Sequence, residues 1–135
     1  MESPIQLNAL LAAARAVRDK AHAPYSHFKV GAALLDEQGR VHTGCNVENS
    51  AYPQGLCAEA GAIAAMVAAG GTRIVAAVVV GEGAQPCTPC GGCRQKLREF
   101  APDDTPVIAA DMQQVRGRFT LGELLPHGFG PENLS

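Results

Sequence analysis

Apolar positions along the 135-residue chain fall into two rhythms. Near the N-terminus Ile5, Leu7, Leu10, Leu11, Ala14 and Val17 recur at roughly helical spacing, predicting a helix to Lys20. Ser3 can cap it, Pro4 suits its first position, and Gln6 completes a capping box. After the loop AHAPYSH, the segments FKVGAALLD (28–36) and RVHTGCNVE (40–48) predict two strands joined by a hairpin at Asp36-Glu37-Gln38-Gly39. NSAYPQG is loop. A second helix is predicted from Cys57 to about Ala69, ended by Gly70-Gly71. RIVAAVVVG (73–81) is short, β-branched and uncharged inside, the pattern of a buried strand. A loop rich in Pro and Gly, EGAQPCTPCGG, leads to a helix over CRQKLREF and a strand over TPVIAAD. Thr120 and Glu123 form a second capping box, predicting a short helix to Leu125 and an irregular tail after Pro126.

The order α-β-β-α-β-α-β fits helices packed on a mixed sheet, an α/β sandwich in one domain over 1–135. Composition adds a constraint. Apolar residues reach 47% while aromatics are only 4%, with no Trp. The core is therefore Ala, Val, Leu and Ile, and helices must approach strands closely. The formal charge is -2, and no basic stripe exists for gripping a polynucleotide backbone. No apolar stretch reaches the roughly 20 residues of a membrane span. The N-terminal segment lacks the basic region of a signal peptide, so a cytoplasmic protein is expected.

The cysteines change the picture most. Five of them, without a secretion signal, argue against a disulfide framework, and Cys87, Cys90 and Cys93 fall within seven residues. If the helices starting near Cys57 and Cys90 pack on one sheet face, their N-termini lie side by side. Cys57, Cys90 and Cys93 then converge, and helix N-termini favour thiolates. Three thiolates around Zn²⁺ leave a fourth position for water. Glu59 stands two residues from Cys57, in the first helical turn. A carboxylate there can move protons to and from such a water. A first-turn acid placed only for the helix dipole is the competing reading, and the three cysteines outweigh it. A structural zinc knuckle is disfavoured because no second C-x-x-C supplies four ligands.

CAE at 57–59 followed by PCGGC at 89–93 resembles the zinc-dependent nucleoside deaminases. PYSHFKVGAAL (24–34), GCNVENSAYPQGLCAEA (44–60), PCGGCRQ (89–95) and LLPHGFGP (124–131) extend the likeness to the small, homotetrameric cytidine deaminases. That resemblance implies a three-layer α/β/α sandwich with a mixed central sheet. It implies one zinc per subunit on Cys57, Cys90 and Cys93, with Glu59 as proton shuttle. The reaction implied is hydrolysis of cytidine and 2'-deoxycytidine to the uridines and ammonia, a zinc-bound hydroxide attacking C4. Phe28 would pack on the pyrimidine, Asn46 and Glu48 would bind the ribose 3'-hydroxyl, and the Ala58 N–H would help hold the base. Tyr52 and Phe129 would reach into a neighbouring subunit's site. A related deaminase acting on blasticidin S or a 4-substituted cytidine is the alternative; a polynucleotide substrate is disfavoured by Glu48, which would repel a phosphodiester.

Pro86-Cys87-Thr88-Pro89-Cys90 also satisfies Pro-Cys-x-x-Cys. Arg94-Gln95 after Cys93, as in the family, and the helix that follows select Cys90 and Cys93 and leave Cys87 a spare thiol. Family members with three cysteines often carry Arg directly after the Glu, where this chain has Ala60. Three thiolates overcompensate Zn²⁺ by one charge; Arg94 is a candidate for charge compensation, alongside the helix dipoles and N–H···S bonds from the Gly91–Gly92 stretch. The histidines 22, 27, 42 and 127 have no ligand spacing and are expected to be solvated. Cys45 is expected to be a buried small residue.

Overall fold

Ser3 begins the first helix as its sequence dictates. Its Oγ accepts the Gln6 N–H at 3.2 Å, and Gln6 Oε1 accepts the Ser3 N–H at 2.9 Å. The computed structural model describes residues 3–135; the Ile5 side chain, expected in the apolar stripe, lies outside the described residues. From α1 (Pro4–Arg18) the Leu10, Leu11 and Ala14 side chains turn into the core.

Five strands follow: β1 (Val30–Asp36), β2 (Val41–Cys45), β3 (Ile74–Gly81), β4 (Pro106–Ala110) and β5 (Val115–Thr120). They form one mixed sheet in the order β2-β1-β3-β4-β5, with β3 and β4 parallel and every other pair antiparallel. The helices α2 (Ala58–Ala68), α3 (Gly91–Arg98) and α4 (Leu121–Leu124) supply the rest of the framework. Two apolar clusters lie on opposite faces of the sheet. Leu10, Leu11 and Ala14 of α1 meet Ala33, Val78 and Ile108 on one side. On the other, Ala62, Met66, Leu97 and Leu121 from α2, α3 and α4 meet Ala32, Leu34 and Val107. The result is a three-layer α/β/α sandwich, as expected.

Close approach is literal at two glycines. A Cβ on Gly31 would lie 2.2 Å from the Ala14 carbonyl oxygen, and one on Gly44 would lie 2.3 Å from that of Ala58. Helix backbone therefore rests directly on strand backbone on both faces, which fixes the height of α2 over the sheet.

The C-terminal end of α2 is tied to the β1–β2 hairpin. Asp36 Oδ1 accepts the Gln38 and Arg40 N–H groups at 2.8 and 3.0 Å. Its Oδ2 accepts Arg40 Nε at 2.9 Å and meets His42 Nε2 at 2.8 Å. Arg40 Nη1 then donates to the Ala69 carbonyl at 2.8 Å, one of the acceptors that a helix end leaves open. Burial alone would raise the Asp36 pKa, but the bonds from His42, the turn N–H groups and Arg40 outweigh it and hold the carboxyl well below its ordinary value.

Four expectations need correction. His42 is buried against Asp36, not solvated, because it alternates inward on β2; the other three histidines are exposed. Cys45 is only half-buried, since β2 is an edge strand. The predicted strand over 40–48 ends at Cys45, so Asn46 and Glu48 belong to a loop. The strand β5 was not predicted: Arg116, Gly117 and Arg118 break its apolar pattern, as an exposed edge allows.

Candidate metal centre and substrate cavity

Two helices begin at one point. Cys57 is the N-cap of α2, Cys90 the N-cap of α3, and Cys93 lies in the first turn of α3. Both helices pack on the same sheet face. One sulfur from each of the three residues lies within 4.8 Å of the others, and the Cys57 and Cys90 sulfurs are 3.8 Å apart. Tetrahedral zinc with Zn–S bonds of about 2.3 Å separates its sulfurs by about 3.8 Å, so the cluster fits that ion. Cys87 is outside the cluster.

The field at the sulfurs is uneven. Burial pushes the Cys93 thiol far up, with Glu59 and Cys57 adding to it, and burial also raises Cys57. Cys90 is held below its usual value by the Cys93 backbone N–H at the helix start. A cation bound to all three would convert the raised thiols to thiolates and release their protons.

Glu59 occupies the first turn of α2 and is 4% exposed. Burial raises its pKa; its own N–H, the Cys93 thiol and the Lys96 charge pull it partly back. It opens into a cavity of about 260 Å³ that also presents Phe28, Asn46, Cys57, Ala58 and Cys90. Six of the expected site residues thus share one space. Cys87 and Thr88 line it too, which the sequence reading missed. The doubled Pro-Cys-x-x-Cys pattern, at 86–90 and 89–93, was the available signal: the segment that carries Cys90 carries Cys87 in with it. Burial pushes the Cys87 thiol up to about 11, so it stays a neutral wall.

Glu48 borders a second hollow of about 370 Å³, with Tyr25, Ser26, Asn49 and Tyr52. Its Oε1 accepts the Tyr25 and Ser26 N–H groups at 3.0 and 3.1 Å, and its Oε2 accepts the Ser26 hydroxyl. The Ser26 hydroxyl is the main reason its pKa is lowered. Asn46 spans the start of β1: Oδ1 accepts the Val30 N–H and Nδ2 donates to the Phe28 carbonyl, each at 2.8 Å. Tyr52 and Phe129 are 73% and 54% exposed and do not line the 260 Å³ cavity. Phe129 is tethered through its carbonyl to Gln95 Nε2 of α3 at 2.8 Å.

Arg94 gives its guanidinium to oxygens. It donates to the Pro89 and Leu124 carbonyls at 2.7 and 2.8 Å and to Thr88 Oγ1 at 3.0 Å, bracing the loop that delivers Cys90. A larger hollow of about 470 Å³ opens at the opposite ends of β3 and β4, beside Arg73, Thr105 and Arg118. Size does not mark the site; the sulfur cluster and the buried acid do.

Comparison with known proteins agrees with this chemistry. Residues 4–109 match the family model described as the cytidine and deoxycytidylate deaminase zinc-binding region. A cytidine deaminase of Sporosarcina psychrophila is 41% identical over 93% of each chain. One of Mycobacterium tuberculosis is 45% identical over 84% of this chain and 82% of its own. The crystal structure of a cytidine deaminase from Burkholderia pseudomallei matches with a TM-score of 0.85 and 45% identity, over 90% of this chain and 98% of that one. With its three sulfurs, its first-turn acid and nearly its whole length accounted for, the chain belongs to the cytidine and deoxycytidylate deaminase zinc-binding family.

Proposed function

We propose that this protein deaminates free cytidine and 2'-deoxycytidine hydrolytically, giving uridine or 2'-deoxyuridine and ammonia. The observation that carries the reading is a buried carboxyl, Glu59, opening into the same cavity as three clustered sulfurs. Cys57, Cys90 and Cys93 hold one Zn²⁺ per subunit, which supplies the Lewis acidity that makes water nucleophilic at neutral pH. Glu59 takes a proton from the attacking water and passes it to N3 of the ring. A second transfer, to the 4-amino group, lets ammonia leave. Burial suits Glu59 to this work, since a raised proton affinity lets it hold the proton between the two steps.

The Phe28 ring faces the pyrimidine, and the N–H of Ala58, left open at the start of α2, holds the base. Asn46 and Glu48 keep acceptor and donor capacity for the ribose 3'-hydroxyl beyond the bonds that anchor them. Arg94 offsets the third thiolate by its charge while bracing the loop. Tyr52 and Phe129, exposed and outside their own chain's cavity, complete a neighbour's site in a homotetramer. The fourteen-kilodalton chain has no helix long and apolar enough to cross a membrane among its described residues. A ligand set of free thiols suits a reducing compartment, which favours the cytoplasm.

The test is ammonia release from cytidine, deoxycytidine, blasticidin S and single-stranded DNA, with zinc measured on the same sample. Turnover of the two nucleosides that tracks zinc content is expected. A zinc-loaded protein inert on both, or active only on one of the other two, removes the assignment.

A further inference from the structure

The loop before β1 holds an unusual backbone. His27 sits at φ +60, the left-handed region that residues other than glycine rarely adopt. Such a conformation persists where neighbours over-determine it. The His27 N–H donates to the Ala23 carbonyl at 3.0 Å, Asn46 holds the Phe28 carbonyl at 2.8 Å, and one hydroxyl ties the turn from its outer side. Ser26 Oγ accepts the Phe28 N–H at 3.0 Å and donates to Glu48 Oε2, while Glu48 Oε1 collects the Tyr25 and Ser26 N–H groups. Donor and acceptor of a single Ser side chain are therefore both used. They join the residue of the 260 Å³ cavity to the carboxylate of the 370 Å³ hollow. Ser26 is itself exposed and adds nothing to the core, so its bonds are not there to bury surface.

We propose that Ser26 is a positioning residue whose hydroxyl couples Phe28 to Glu48, so that the base and the sugar of the substrate are recognised as one unit. This rests on the reading that Phe28 faces the base and Glu48 the ribose. Without the hydroxyl, the Phe28 N–H loses its acceptor, Glu48 loses a donor, and the His27 turn loses the tie across it. The two recognition elements then move independently, and a substrate that engages both gains less from engaging either.

Ser26→Ala, Ser26→Thr, Phe28→Leu and Glu48→Gln are compared with the unmodified protein on cytidine and 3'-deoxycytidine, with zinc content and Tm measured for each. Ser26→Ala is expected to raise KM for cytidine about tenfold, the scale of one hydrogen bond to a charged group, with kcat within about twofold. The preference for cytidine over 3'-deoxycytidine in kcat/KM should shrink about fivefold, and Ser26→Thr, which keeps the hydroxyl, should restore both. Wild-type KM and preference in Ser26→Ala, while Phe28→Leu and Glu48→Gln each raise KM, overturn the coupling and leave the site reading standing. An unchanged preference in Glu48→Gln overturns the sugar reading, and the coupling falls with it. A Ser26→Ala protein that loses zinc or melts several degrees lower shows a purely structural role and overturns the proposal as well.

Discussion

At the C-terminal end of α2, Arg40 meets the Ala69 carbonyl, and Asp36 collects Arg40, His42 and two turn N–H groups. At the N-terminal end of the same eleven-residue helix, three sulfurs crowd within 4.8 Å and a carboxyl sits buried among them. Both ends bury acids. Hydrogen bonds hold Asp36 well below its usual pKa, whereas burial holds Glu59 above its own. One end spends its polar groups on protein partners and gains a fixed hairpin. The other leaves them facing each other and a cavity, which is costly for folding and useful for chemistry. The first turns of the helix are pressed onto Gly44 at Ala58 and Ala62, so the sheet fixes the height of the reactive end directly.

The contrast is open to direct attack, most strongly at Glu59. Glu59→Gln is expected to cut kcat by about 10³–10⁴ while zinc content is kept. Because burial disfavours the charged form, Tm should hold or rise. A Tm several degrees lower would place Glu59 with the groups that hold the fold. Asp36→Asn should do the reverse, losing about 3 kcal/mol of stability by denaturant unfolding while kcat/KM of the folded protein stays within about twofold. Its pH signature has a definite sign. The folded pKa of Asp36 lies below the unfolded value, so its contribution is complete above about pH 4 and is lost as pH falls below that. The variant should therefore show a flatter acid limb, and an unchanged limb would remove Asp36 from the account.

Zinc removal should touch only the reactive end. Chelation is expected to abolish turnover and to withdraw about 3 kcal/mol of apparent stability at free zinc near a hundred times its Kd. Hydrogen exchange should speed up at Cys57–Gly61 and Cys90–Arg94 and stay unchanged at Asp36–His42. Equal acceleration at both ends would erase the distinction. Arg40→Ala is the mildest test, an expected loss of about 1 kcal/mol with normal activity. Reduced activity there would show that the clasp steers the site rather than merely steadying it.

Much of this was legible in the sequence. The two capping boxes at Ser3 and Thr120 formed as written. The convergence of Cys57, Cys90 and Cys93 followed from helices that start at their cysteines and share a face. What local pattern does not carry is pairing at a distance. His42 looked like an outward strand residue until Asp36, six positions earlier, turned back to meet it. The strand β5 hid because an edge strand needs no continuous apolar run. Asn46 and Glu48 were found as candidate sugar contacts, but their grip on the Tyr25–Val30 loop depends on backbone N–H groups that no sequence pattern displays.

Cys57 and Cys90 also hold positions where helices ordinarily place Ser, Thr, Asp or Asn. A thiol is a poor stand-in for those oxygens. Two helix beginnings thus lack a side-chain cap, and a cation on their sulfurs would steady both at once. Under zinc scarcity, the first sign would be molecules cut by proteases or oxidised at those thiols.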